Sequence, residues 1–246
     1  MIFCKGRIPS PLFLILLLIA LSFFPYSGEA KVFEECVYLI PAGKVDKKVL
    51  EKLKEKLPGL FPMSVKAVID PEKEIPQAAY DPSRKQYDAQ AVLDDISGRI
   101  NLALTNERAL IVTDADLYVP DLNFVFGLAD AKKGICIISL ARLKNEFDPA
   151  ASPASRDGRD SAPRQAAELR GLKPDERLLF ERALKEAAHE LGHSWKIDHC
   201  PSPKCVMFFS NSLADTDKKR ESFCYKCRIA LENRNSGGGL FGKKSK

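Results

Sequence analysis

Outside its first thirty residues, this 246-residue chain has no long hydrophobic run and no strong excess of either charge. No later uncharged stretch approaches the roughly 20 residues that a membrane-spanning helix requires. The formal net charge is +5, and it becomes +4 when the first thirty residues, with Lys5, Arg7 and Glu29, are left out. A balance this mild gives no support for nucleic-acid binding. We therefore expect a soluble domain with no nucleic-acid partner.

The N-terminal segment has the composition of an export signal. Lys5 and Arg7 form a basic start, residues 12–24 are an uncharged apolar run, and small residues precede a cleavage point after Ala30. We expect cleavage there and export of residues 31–246 to the periplasm or the cell exterior. A membrane would be a partner only if the segment stays uncleaved and acts as an anchor.

The rest of the chain alternates the sequence patterns of strands and helices. This order predicts one α/β domain over residues 31–235, with a mixed, mostly parallel sheet and an antiparallel hairpin at one side. Its hairpin turn is predicted at Asp130–Gly134. Strands are predicted at residues 36–40, 63–69, 109–112, 124–129 and 135–140. Helices are predicted at residues 44–57, at residues 88–100 and from Pro174 onward.

Two segments lack any apolar periodicity. Residues 148–170 are rich in Pro, Ala, Ser, Arg and Asp, which is typical of a mobile surface loop. Residues 236–246 are rich in Gly and Lys, which is typical of a flexible, solvated basic tail.

Histidine is scarce: the chain has three, and all lie within eleven residues, at His189, His193 and His199. The first two are four residues apart, so a helix starting near Pro174 places them on one face. Three imidazoles can bind one zinc ion and leave one coordination position open, and Glu190 could accept a proton from water there. The alternative is that these are ordinary surface or core histidines.

Four of the seven cysteines form two close pairs, Cys200 with Cys205 and Cys224 with Cys227. Such pairs have the spacing of a closed four-thiolate zinc site, which is structural because it has no open position. A zinc ion there would also fix the segment that follows His199. Two local disulfides, or a thiol-disulfide redox site at the second pair, are the alternatives.

Two further cysteines, Cys36 and Cys136, lie in apolar strand-like runs. Export would allow them to pair in a disulfide, and buried free thiols are the alternative.

These motifs resemble those of the archaemetzincins, a metzincin-like family of zinc peptidases. The family pattern is His-Glu-x-x-His-x-x-Gly-x-x-His, then Cys-x4-Cys-x-Met, then Cys-x-x-Cys, and it covers residues 189–227 here. The resemblance implies a metzincin-like fold, a catalytic zinc on the three histidines with Glu190 as general base, and a structural zinc on the four cysteines. It also implies that Met207 forms the methionine turn beneath the metal.

One residue departs from the family pattern, since Lys196 stands where the family has glycine. Glycine after a helix allows a left-handed turn, which would direct His199 back to the metal. A lysine in that conformation costs about 1 kcal/mol. Either this strain is accepted, or the turn takes another path.

The resulting hypothesis is a monomeric zinc metallopeptidase that acts on peptides or proteins, as an aminopeptidase or an endopeptidase. Two zinc ions per chain are expected, one catalytic and one structural. The strand predicted at residues 124–129 is either a sheet edge along which a peptide binds or an ordinary internal strand. The alternative function is a zinc-stabilised peptide-binding protein that does not cleave.

Overall fold

The computed structural model describes residues 34–102, 106–144 and 173–234. The predicted export signal, the loop at 148–170 and the tail at 236–246 lie outside these ranges. Within them, no helix is both long enough and apolar enough to cross a membrane.

Eight strands and five α-helices make up the described chain. The strands are β1 (Glu35–Ala42), β2 (Val65–Ile69), β3 (Tyr80–Asp81), β4 (Gln86–Asp88), β5 (Glu107–Thr113), β6 (Leu117–Tyr118), β7 (Gly127–Asp130) and β8 (Ile135–Ser139). The helices are α1 (Lys47–Lys56), α2 (Ala89–Arg99), α3 (Pro174–Ser194), α4 (Leu213–Lys218) and α5 (Tyr225–Glu232).

The main sheet has five strands in the order β2-β1-β5-β8-β7. Its first four strands are parallel, and β7 pairs with β8 antiparallel, with Gly127 opposite Ile138 and Asp130 opposite Ile135. This confirms the predicted mostly parallel sheet with a hairpin at one side. Strands β3, β4 and β6 form a second, small sheet that the apolar pattern does not reveal, because its strands are only two or three residues long.

Apolar side chains cover both faces of the main sheet, as a buried parallel sheet requires. One cluster packs α1, α3 and the segment after residue 195 against the sheet, and it includes Leu53, Leu110 and Leu191. The other packs α2 against the opposite face and includes Leu93 and Ile111. Helix α3 therefore lies across one face of the sheet, beside the hairpin.

Two predicted boundaries need correction. The strand predicted at 124–129 begins only at Gly127, since Val125 forms a single bridge with Leu117 outside the main sheet. The first helix begins at Lys47 and not at residue 44, because the Asp46 carboxylate accepts a hydrogen bond from the Lys48 N–H and caps it.

Cys136 is a buried free thiol on β8. The alternative in which it forms a disulfide with Cys36 is therefore wrong. Burial also raises the pKa of the Cys136 thiol well above its ordinary value, so the thiol stays protonated at neutral pH.

Candidate metal centre and cleft

Helix α3 carries the first two histidines and ends in a turn that directs the third. His193 lies in its last turn, and Lys196, two residues after the helix ends at Ser194, is in the left-handed region with a φ of 65°. The Lys196 N–H donates to the His193 carbonyl at 2.8 Å, and the Ile197 N–H donates to the Gly192 carbonyl at 3.0 Å. This pair of bonds is a Schellman motif. The strain at Lys196 is therefore accepted, and the turn follows the path that glycine would allow.

The three imidazoles converge at the end of this turn. The Nε2 atom of His193 lies 3.1 Å from Nε2 of His189 and 3.2 Å from Nε2 of His199. A tetrahedral zinc ion with Zn–N bonds of about 2.0 Å places its nitrogen ligands about 3.3 Å apart. The donor set and its spacing therefore fit a zinc ion.

The other ring nitrogens fix two of these imidazoles. Nδ1 of His189 lies 2.8 Å from the carbonyl oxygen of Val206, and Nδ1 of His193 lies 2.7 Å from that of Ile197. A carbonyl oxygen can only accept, so each Nδ1 carries the proton and each Nε2 lone pair is free to bind metal. Burial also lowers the pKa of all three imidazoles, which favours the neutral form that a metal requires.

The Glu190 side chain extends from helix α3 to strand β7, and Glu190 is almost fully buried. A Cβ atom added at Gly127 would lie 2.6 Å from Glu190 Cγ and 2.8 Å from its Oε1. Gly127 therefore leaves the space that the Glu190 carboxylate occupies. Burial, and then the neighbouring Glu186 carboxylate, raise the pKa of Glu190 well above its ordinary value.

A cleft of about 410 Å³ opens in front of these residues. One side is the edge strand β7 with the segment before it, and the other is the segment Phe209–Asn211. Of the three histidines, His199 is the exposed one, and the Phe209 ring contacts it edge-on with centroids 4.9 Å apart. Residues of β7 line this cleft, and among the described strands β7 has only β8 as a neighbour in the main sheet.

The four cysteines form a second cluster directly after His199. The Sγ atoms of Cys200 and Cys224 are 3.7 Å apart, and those of Cys205 and Cys227 are 3.8 Å apart. Four sulfurs around a tetrahedral zinc ion with Zn–S bonds of about 2.3 Å lie about 3.8 Å from one another. The cysteine cluster therefore also fits a zinc ion. In the described ranges every cysteine except Cys36 is a free thiol. The two local disulfides considered as an alternative for this cluster are therefore not formed.

Hydrogen bonding within this cluster favours the thiolate form at Cys205. The Sγ atoms of Cys205 and Cys227 are in hydrogen-bond contact, and the Cys224 backbone N–H donates to Cys205 Sγ at 3.3 Å. These contacts, that with Cys227 first, lower the pKa of Cys205 to about 5, whereas the contact with Cys205 raises the pKa of Cys227. A thiolate is the form in which cysteine binds a metal.

Met207 lies directly beneath helix α3 and is fully buried. A Cβ atom at Gly192 would lie 2.4 Å from the Met207 sulfur, so the helix approaches Met207 closely only because residue 192 is glycine. The Met207 carbonyl also accepts a hydrogen bond from the Cys200 N–H at 2.8 Å. Met207 thus connects the helix that carries two histidines with the cysteine cluster.

A buried ion pair beside the cleft belongs to no motif that the sequence reveals. The Lys219 ammonium lies 3.0 Å from Glu186 Oε1, and both side chains are buried. Glu186 precedes Glu190 by one helical turn and lines the same cleft. The only sign of the pair in the sequence is a charged residue, Glu186, on the inward face of α3. Its partner Lys219 is more than thirty residues away along the chain.

Similarity to known proteins agrees with this geometry. The model of peptidase family M54 matches residues 169–233. The archaemetzincin of Pyrococcus furiosus is 37% identical over 215 residues, which are 85% of this chain and 98% of the relative. The archaemetzincin of Methanocaldococcus jannaschii is 37% identical over 79% of this chain and 91% of the relative.

Solved structures give the same result. The archaemetzincin of Methanopyrus kandleri superposes with a TM-score of 0.64 at 30% identity, over 82% of this chain and 96% of the other. A zinc-dependent peptidase of Methanocorpusculum labreanum superposes with a TM-score of 0.62 at 32% identity, over 79% and 99%. Since the likeness extends over most of both chains and not only over the motifs, this chain belongs to the archaemetzincins, peptidase family M54, and is a zinc metallopeptidase.

Proposed function

We propose that this peptidase cleaves peptide bonds at the centre formed by His189, His193 and His199, with Glu190 as general base. The observation that carries the proposal is the convergence of three metal-binding nitrogens beside a buried carboxylate, at the floor of an open cleft. Three protein ligands leave the fourth position of a tetrahedral ion for water or substrate, as catalytic zinc sites require.

Zinc at such a site supplies a Lewis acid, which lowers the pKa of water to about 7 and polarises the scissile carbonyl. The Glu190 carboxylate accepts a proton from the attacking water and later delivers it to the nitrogen of the departing amine. Burial raises the pKa of Glu190, which makes its carboxylate a stronger base toward the attacking water. The carbonyls that receive the Nδ1 protons of His189 and His193 keep those rings in one orientation throughout.

We also propose that the substrate binds in an extended form along β7. This strand is at the edge of the main sheet and lines the cleft, so its free backbone groups can pair with a peptide backbone as an added strand. Backbone pairing of this kind orients a peptide without depending on its sequence. Comparing capped with uncapped peptides as substrates distinguishes an endopeptidase from an aminopeptidase.

The cysteine cluster is proposed to bind a second zinc ion with a structural role. Four thiolate ligands occupy every tetrahedral position, so this ion has no place for water. Metal analysis of the purified protein should give two zinc ions per chain. After mild chelation one ion should remain, since the closed site releases metal more slowly than the open histidine site. A total of one ion would contradict the two-site proposal.

The general-base role is tested with Glu190→Gln, which keeps the size of the side chain and removes its basicity. We expect kcat to fall by about a hundredfold or more, with zinc content unchanged. Glu181→Gln is the matched control, because Glu181 is a partly exposed residue of the same helix outside the cleft and its change should leave turnover intact. Unchanged turnover in the Glu190 variant would end the mechanism. If the metal-loaded protein binds peptides and cleaves none, the chain is a non-catalytic binding protein instead.

A further inference from the structure

The cleft contains polar groups that neither metal binding nor the proposed mechanism uses. They are Glu186, which lies one helical turn before Glu190, and Ser210, and both line the cleft. Glu186 is buried and paired with Lys219, whose side chain is fully buried. A buried ion pair contributes little net stability, since desolvation offsets the attraction between the charges. Its position at a cleft therefore calls for another explanation.

The segment that carries Lys219 is held against helix α3, which carries Glu186. Arg182 on α3 forms a bidentate pair with Asp217, at 2.7 Å for both nitrogen–oxygen contacts, and also donates to the Leu143 carbonyl. Thr216 donates its hydroxyl to Glu186 Oε1 at 3.1 Å. The Glu186 carboxylate is thus fixed in place on a rigid part of the fold, as a residue that selects a ligand must be.

Hydrogen-bonding capacity is left over at both residues. Oε1 of Glu186 forms the ion pair with Lys219 and accepts a hydrogen bond from the Thr216 hydroxyl, and among the described residues no hydrogen bond to Oε2 is formed. The Ser210 hydroxyl is buried, and among the described residues it has no hydrogen-bond partner. A carboxylate oxygen can only accept, and a hydroxyl can both donate and accept.

We propose that Glu186 and Ser210 make the cleft selective for a substrate side chain that ends in a carboxamide, as glutamine does. Its NH2 group donates to Glu186 and its oxygen accepts from Ser210. An aliphatic side chain of equal length leaves both groups without partners and excludes water from them, which is costly. A carboxylate side chain has no donor for Glu186. A lysine side chain gains little, because Lys219 already neutralises the Glu186 charge.

The selectivity rests on the proposed function, because a peptide must lie in this cleft for Glu186 to contact it. Matched peptides are therefore compared that differ at one residue, on either side of the scissile bond, and carry glutamine, norleucine, glutamate or lysine there. We expect kcat/KM for glutamine to exceed that for norleucine by about tenfold or more at one of the two positions. Equal or better cleavage of the norleucine peptide at both positions would overturn the proposal.

Variants identify the residues responsible. The double change Glu186→Leu with Lys219→Met removes both charges together, so that neither is stranded in the interior, and it should abolish or invert the glutamine preference. Ser210→Ala should reduce the preference without changing the fold. Glu181→Gln, which removes a charge at a partly exposed position of α3 outside the cleft, should leave it unchanged. A preference that persists in the double variant refutes the role of Glu186.

Binding separates this inference from the proposed mechanism. Fluorescence anisotropy with labelled peptides and zinc-loaded Glu190→Gln measures the preference without turnover. Selective binding by a protein that cleaves none of the peptides would refute the mechanism and support the selectivity. If the wild type cleaves the peptides but neither the kinetic assay nor the binding assay shows a preference among them, the selectivity alone is refuted.

Discussion

Replacing Lys196 with glycine should stabilise this protein and leave its metal centre unchanged. Lys196 is exposed and adopts a φ of 65°, and the bonds that close the turn come from backbone groups. The geometry that directs His199 to the other histidines therefore depends on the backbone conformation of residue 196 and not on the lysine side chain. Glycine adopts the same conformation without a steric penalty.

The expected size of the effect follows from two opposing terms. A non-glycine residue in the left-handed region costs about 1–2 kcal/mol. Glycine gives back about 0.5–1 kcal/mol of this, because it makes the unfolded chain more flexible. The net gain is about 0.5–1 kcal/mol, and in a domain of this size 1 kcal/mol corresponds to a shift in Tm of about 2–4 °C.

Thermal unfolding and a chelator competition for zinc measure the two parts of this prediction. Lys196→Gly should raise Tm by about 2 °C and change zinc affinity by less than about twofold. Lys85 offers a matched control, because its φ is 56° and it lies in an exposed turn before β4. Lys85→Gly should raise Tm to a similar extent with no effect on zinc.

Lys196→Val tests the same reasoning in the opposite direction. A β-branched residue strongly disfavours positive φ, so the turn should open and move His199 away from the other two imidazoles. Zinc affinity at the histidine site should fall by about tenfold or more, since 1.4 kcal/mol corresponds to a factor of ten. If Lys196→Gly itself weakens zinc binding or lowers Tm, the lysine side chain holds the turn and the backbone argument fails.

Three further changes test the packing around Glu190 and helix α3. Gly127→Ala should lower kcat/KM by about a hundredfold with zinc retained, because the new Cβ would lie 2.6 Å from Glu190 Cγ; assays of both quantities check this. Gly192→Ala should destabilise the fold by about 1–3 kcal/mol because its Cβ would meet the Met207 sulfur at 2.4 Å, whereas Gly98→Ala, which meets nothing within 4 Å, should stabilise it slightly. In zinc-depleted protein, Glu190→Gln should raise stability toward urea. The raised pKa of Glu190 means that the wild type loses stability as pH rises above about 4.5, so an advantage that fails to grow from pH 5 to pH 8 would contradict this.

The sequence predicts which histidines and cysteines come together in the fold, because their spacing is local. His189 and His193 share a helix face by periodicity alone, and the cysteine pairs have the separations that zinc sites use. The parallel sheet is also predictable, because buried strands such as β5 are continuous apolar runs. The start of β7 at Gly127 is not, because Phe124 and Val125 have the same apolar pattern as the strand itself.

Contacts between distant residues are what the pattern leaves undetermined. The pair of Glu186 and Lys219 joins two charged positions with no shared motif, and a charged residue in a helix is usually solvated. Gly127 looks like an ordinary strand glycine until the fold brings Glu190 against it. Such features depend on how α3 crosses the sheet, which no local rule specifies.

The position of His199 is set by the residues that precede and follow it along the chain. Before it, the turn at Lys196 sets the direction in which the chain leaves α3. Directly after it, Cys200 belongs to the cysteine cluster, and its N–H donates to the carbonyl of Met207, which packs under α3 at Gly192. His199 itself is exposed and has no comparable burial to fix it. If the cysteine cluster binds the proposed structural zinc, removing that ion should weaken zinc binding at the three histidines, although none of them has changed.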